Sequence, residues 1–155
     1  MSRTSSSATP SSATHTVPSH TAPSHAVPST IAVNLEWLFT EAGDTADRIR
    51  AAAAHGLAAV EMWGWRVKDL DAVETALRET GIELTSLIVD PQATLADPAS
   101  HEVYLHTVAA SLEVARRLRA PNLVIVAGQE VADVPRADQR AAVVSVLRQA
   151  AALAA

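Results

Sequence analysis

The chain has 155 residues, three tryptophans, no cysteine and a formal charge of −5 at pH 7. Without cysteine it has no disulfide, thiolate metal site or Cys nucleophile, which fits a cytoplasmic protein, and its length fits one domain. Arg3 is the only charged side chain in residues 1–30, so residues 31–155 hold all 17 acidic and 11 of the 12 basic groups, a balance that argues against a broad nucleic-acid footprint.

Residues 1–30 are almost entirely Ser, Thr, Ala, Pro and His. Such a segment buries too little apolar surface to offset its ordering entropy, so it is predicted to be a disordered tail. It repeats "TVPSH", "TAPSH" and "AVPST", with His15, His20 and His25 five residues apart. A weak metal-binding tract is one reading. A low-complexity linker is the preferred one, because flexible histidines without a scaffold make a poor site. The N-terminus lacks the apolar core of a signal peptide, and no apolar stretch is long enough to span a membrane.

From residue 31 the pattern alternates. "IAVNLEW" (31–37) reads as a strand. "DTADRIRAAAAHG" (44–56) has a helical period, with Ala46, Ile49 and Ala53 on one face, Asp44 or Thr45 capping the start and Gly56 the end. "LAAVEMW" (57–63) is the next strand. "DLDAVETALRETG" (69–81) is a helix with Leu70, Val73 and Leu77 as its stripe, Asp69 as N-cap and Gly81 as C-cap. "IELTSLIVD" (82–90) is rich in strand-favouring residues. After a loop holding Pro91 and Pro98, "SHEVYLHTVAASLEVARRLRA" (100–120) forms a long helix with Leu105, Val108, Leu112 and Ala115 inward, ended by Pro121. "NLVIVAG" (122–128) is so apolar that both of its faces are expected to be covered. "RADQRAAVVSVLRQAAALAA" (136–155) closes the series as a helix, with Ala141, Val144, Leu147 and Ala151 expected inward.

The order βαβαβαβα implies parallel strands with right-handed crossovers. It fits an open doubly wound sheet or part of a (β/α)8 barrel. No glycine-rich phosphate loop follows the first strand: "EWLFTEAGD" has one glycine where a dinucleotide fingerprint needs three, which counts against nucleotide binding.

Ligands of parallel α/β folds bind at the C-terminal ends of strands, and Trp37, Trp63 and Trp65 fall at or just past such ends. Alternation places Asn34 and Glu36 on one strand face, and Glu61 and Trp63 on one face of the next. An acid inside an apolar strand is costly unless it meets a partner or a ligand. Glu61, between Val60 and Met62, therefore has two readings: a functional carboxylate, or a structural one paired with a Lys or Arg at the rim. Asn34, Trp37, Glu61, Trp63 and Trp65 are the candidate substrate-pocket residues.

The segments "AVNLEWLFTE", "RIRAAAAHGLAAVEMW" and "LVIVAG" resemble the sugar isomerase/epimerase barrels of the xylose isomerase-like superfamily, and within it the hydroxypyruvate isomerase group. The matching positions are Asn34, Phe39, Thr40, Glu41, Gly56, Val60, Glu61 and Trp63. One departure is Val124, where family members often carry a histidine at the start of the fourth strand's apolar run.

The resemblance implies an α/β fold of the (β/α)8 TIM-barrel type, with residues 31–155 supplying about the first four β/α units. It implies an isomerase acting on a small sugar or hydroxy-keto acid, through an enediolate stabilised by a divalent ion of the Mg, Mn or Co type. In the family the main catalytic carboxylates and metal ligands come from the fifth to eighth strands, so no metal ligand is expected in this chain. A (β/α)8 barrel takes about 250 residues, and residues 31–155 supply about half of one. The resemblance leaves open a sugar epimerase of the same superfamily.

The remaining histidines offer no clear metal site. His55 fits a helix C-cap. His101 and His106 fall on different helix faces, and "HEVYLH" is one residue too long for the HExxH zinc signature. Two function classes follow. One is an isomerase half that is continued or paired with a second half-barrel. The other is a non-catalytic half-barrel or interaction module. Neither involves nucleic acid or membrane, and self-association is expected of the chain alone.

Overall fold

The computed structural model describes residues 31–155; the tail at 1–30 and its histidine tract lie outside the described residues. Four strands, β1 (Ala32–Asn34), β2 (Ala59–Met62), β3 (Glu83–Ile88) and β4 (Asn122–Val124), alternate with four helices, α1 (Thr45–Ala54), α2 (Leu70–Thr80), α3 (His101–Leu118) and α4 (Arg136–Ala154). All strand pairs are parallel and their order is β1-β2-β3-β4. Sequential order with a helix after each strand is the arrangement of the leading half of a (β/α)8 barrel; a doubly wound sheet would reverse its strand order partway.

Capping follows the sequence. Asp44 Oδ1 accepts the Asp47 amide at 3.0 Å, and Asp69 Oδ1 accepts the Asp71 and Ala72 amides at 3.1 and 3.0 Å. Each such cap stabilises its helix by about 1 kcal/mol. Gly81 closes α2 at φ 70°, donating its amide to the Leu77 carbonyl, a left-handed position that favours glycine.

One set of alternate residues from every strand packs under the helices: Leu35, Val60 and Met62, Leu84 and Leu87, Val89, and the half-buried Leu123 and Ile125. They meet Ala46, Ile49 and Ala52 of α1, Val73 and Ala76 of α2, and Val108, Val114 and Leu118 of α3. The opposite face carries Asn34, Glu61 and Ser86, brought level by the register Asn34↔Glu61↔Ser86. That register depends on a bulge. Val60 pairs with Leu84 but Glu61 pairs with Ser86, so Thr85 is the extra residue, and its hydroxyl donates to the Val60 carbonyl at 3.1 Å.

Two expectations are corrected. β4 is covered on its helix side only: Val124 and Val126 are each 39% exposed, because no further strand or helix faces them among the described residues. In α4 the buried stripe is Val146 and Ala150 with Val143 beside them, while Ala141, Val144, Leu147 and Ala151 are exposed. Alanines and polar residues are spread around the helix with little segregation, so its period does not choose a face. Packing against Tyr104 and Val108 of α3 does.

Candidate functional site

The C-terminal ends of the strands are built by the turn after β1, the loop after β2 and the segment after β3. Asn34 sets the first. Its Oδ1 accepts the Glu36 amide at 2.9 Å, and its carbonyl accepts the amides of Trp37 and Leu38 at 3.4 and 3.1 Å. The turn ends at Phe39, which takes φ 60° and stacks against the His55 ring at 5.3 Å. A left-handed phenylalanine is strained, and it persists only where its surroundings hold it.

Among the described residues Glu61 has no cationic partner. Its Oε1 accepts from Asn34 Nδ2 at 2.8 Å and its Oε2 from Ser86 Oγ at 3.2 Å. The structure thus departs from the Lys or Arg pairing considered for it, and satisfies the half-buried carboxylate with neutral donors from both neighbouring strands. Glu36, on the same face, is the residue that holds the cation. Lys68 Nζ lies 2.8 Å from Glu36 Oε1 and donates to the Gly64 carbonyl at 2.6 Å; the Trp63 amide reaches the same Glu36 oxygen at 3.1 Å.

The indoles divide. Trp37 and Trp63 meet edge to face, with ring centres 5.2 Å apart and planes at 75°, and remain 71% and 37% exposed. Such a pair contributes about 0.5–1.5 kcal/mol beyond burial and leaves an aromatic surface open to the mouth. Trp65 is placed apart from them. Its Nε1 donates to Ser111 Oγ of α3 at 3.0 Å, its ring packs against the core under the helices, and Arg66 lies over it at 5.2 Å.

Asp90, just past β3, was not singled out by sequence reasoning. Its Oδ2 accepts the amides of both Trp65 and Arg66 at 2.9 Å, and its carbonyl accepts from Arg66 Nε at 2.9 Å. Gly64 is small for this reason: a Cβ there would stand 2.7 Å from Asp90 Oδ2. An acid directly before a proline at a strand end was the available signal. His55 and His101 are held structurally, while His106 is exposed on α3. His55 Nδ1 sits 2.9 Å from the Ala51 carbonyl as the α1 C-cap, and His101 Nε2 sits 2.8 Å from the Leu95 carbonyl.

Two cavities open at this end. One of about 230 Å³ lies between Glu36, Lys68 and the first turns of α1 and α2, and one of about 660 Å³ between the residues after β4 and the start of α4. A third, of about 390 Å³, lies at the opposite end, beside Arg117 and Arg119, away from the indoles. Among the described residues no group of three or more His, Cys, Asp or Glu side chains is gathered to hold a metal ion. No described helix is long and apolar enough to cross a membrane.

Comparison with known proteins agrees with this architecture. A family profile described as "Xylose isomerase-like TIM barrel" matches residues 49–155. A Danio rerio protein described as "Putative hydroxypyruvate isomerase" is 30% identical over 116 residues, covering 70% of this chain and 41% of that protein. Among solved structures, an AP endonuclease, family 2, from Brucella melitensis superposes with a TM-score of 0.72 at 21% identity, over 79% of this chain and 49% of its own. A Sinorhizobium meliloti protein superposes at 0.55 and 24% identity, over 78% and 47%. The chain therefore spans less than half the length of each of these relatives, and the two solved structures show a shared fold.

Proposed function

The chain belongs to the xylose isomerase-like TIM barrel family, and from that premise we propose that it forms the leading half of a sugar or hydroxy-keto-acid isomerase of the hydroxypyruvate isomerase type. The observation that carries this reading is the Trp37–Trp63 pair, placed at the strand ends above the row of Asn34, Glu61 and Ser86, in a chain with only three tryptophans. Aromatic faces there suit the C–H surface of a small polyol and exclude water from one side of it. The polar row below keeps the strand face hydrogen-bonded without bulk.

Glu61 accepts from Asn34 through Oε1 and from Ser86 through Oε2, and no metal cluster is gathered among the described residues. The carboxylates and divalent ion of the reaction belong, in this reading, to the other half of the barrel. The Brucella melitensis neighbour is named as an endonuclease, but the excess of acidic groups in residues 31–155 of this chain disfavours a phosphate backbone as its ligand. An epimerase of the same family would use the same wall.

A second reading, a half-barrel that serves as an interaction module, is favoured by the exposure of Val124 and Val126. The two separate in an assay on the chain supplied with a second half-barrel and divalent metal, with hydroxypyruvate and a panel of aldoses and ketoses as substrates. Interconversion, with KM raised by Trp63→Ala, supports the isomerase. Assembly without turnover on any of them overturns it in favour of the module.

A further inference from the structure

We propose that Glu36, Glu61 and Asp90 are positioning residues that fix the angle and spacing of the Trp37–Trp63 pair. The inference deepens the reading of that pair as a substrate wall and rests on it for its functional meaning. The geometry begins at β3. Ser86 Oγ and Asn34 Nδ2 donate to the two oxygens of Glu61. With its amide nitrogen held there, Asn34 must turn its Oδ1 the other way, toward the Glu36 amide, which donates to it at 2.9 Å. A flipped amide would set N–H against N–H and lose the turn. That turn carries Trp37, whose own amide bonds back to the Asn34 carbonyl. Glu61 thus acts on Trp37 through Asn34, without touching it.

The second indole is fixed by the other two acids. Glu36 reaches from the end of β1 to the Trp63 amide and the Lys68 ammonium. Asp90 reaches from the end of β3 to the Trp65 and Arg66 amides. The loop after β2 is clipped on both sides of Gly64, once by each neighbouring strand. Charge-assisted bonds of this kind are the stronger class, and here they converge on backbone rather than on open space.

Two interacting indoles give an exciton couplet in far-ultraviolet circular dichroism whose amplitude depends on their angle and distance, so the pair reports its own geometry without substrate. Trp63→Phe identifies the couplet by abolishing it. Glu61→Ala, which frees the Asn34 amide, is expected to reduce it by about half or more, while Glu61→Gln, which can accept from Asn34 and donate to Ser86, restores it. Glu36→Ala, on the rim, is expected to cause a similar loss with helix content unchanged, and it decides the matter if Glu61→Ala does not fold. A couplet of parental amplitude in folded Glu36→Ala or Glu61→Ala overturns the proposal, as does failure of Glu61→Gln to restore it. The readout needs no turnover, so failure of the isomerase assay leaves this result standing, and a lost couplet effect leaves the isomerase reading intact.

Discussion

Tyr104, the chain's only tyrosine, sits in the smaller core between α3 and α4 and is 2% exposed. Burial penalises the phenolate and pushes the phenol from 10.0 up to about 12. The raised value means that the unfolded chain releases its proton first as pH rises. The stability tied to this group is therefore fully present below pH 10 and is lost as pH climbs through about 12. Phenolate absorbance should titrate near 12 in the folded chain and near 10 in concentrated urea. A folded-state midpoint at the unfolded value would show that the ring is not packed as described. Residues of this kind were legible in part. An acid within an apolar run marked Glu61 from sequence alone, because such a group must find a donor. Which donors it finds was not legible: Ser86 reaches it only because the bulge at Thr85 shifts the register by one. Trp65 stood beside Trp63 in the sequence, yet its Nε1 finds Ser111, 46 positions away, and that contact draws it into the helix layer.

At the scale of elements, the eight strands and helices follow the order that hydrophobic period and caps dictate, since Asp44, Asp69 and Gly81 mark their helix ends by local chemistry. The strands are shorter than their apolar runs: among the described residues β1 and β4 each pair on one side only, over three residues apiece. The orientation of α4 was hidden for a different reason. Its two candidate stripes are one residue apart in a helix whose apolar and polar residues are poorly segregated, and only the partner, α3, distinguishes them. The choice has a measurable consequence. Val146 is fully buried and Leu147 is 38% exposed. Val146→Ala should cost about 2 kcal/mol through lost burial and the cavity left behind. Leu147→Ala, though it removes more side chain, should stay within about 0.5 kcal/mol. Urea midpoints of the two variants test this, and a larger loss at Leu147 would mean that the helix is rotated from the position seen.

The described residues form a four-stranded parallel sheet with helices on one side. Closing a barrel fixes strand number, tilt and stagger together, and four strands do not meet that condition. Among the described residues both outer strands therefore keep unpaired backbone along one side, and Val124 of β4 and Val126 just past it are exposed on the face that lacks helices. The outer stripe of α4, with Val144 and Leu147 over a third exposed, lies on the same β/α unit. Open edges with apolar neighbours draw further strands to them. We expect the 155-residue chain, made alone, to self-associate and to show no isomerase turnover as a monomer. Sedimentation should find species heavier than one chain. Val126→Lys, which sets a charge beside the open edge, should shift the population toward monomer while the far-ultraviolet spectrum keeps its helix content. Adding a second half-barrel, in trans or by extension of the chain, should suppress association and restore metal-dependent turnover together, because one surface serves both. A monodisperse monomer of the unaltered chain that turns over substrate with metal would refute this, and would place a complete site within residues 31–155.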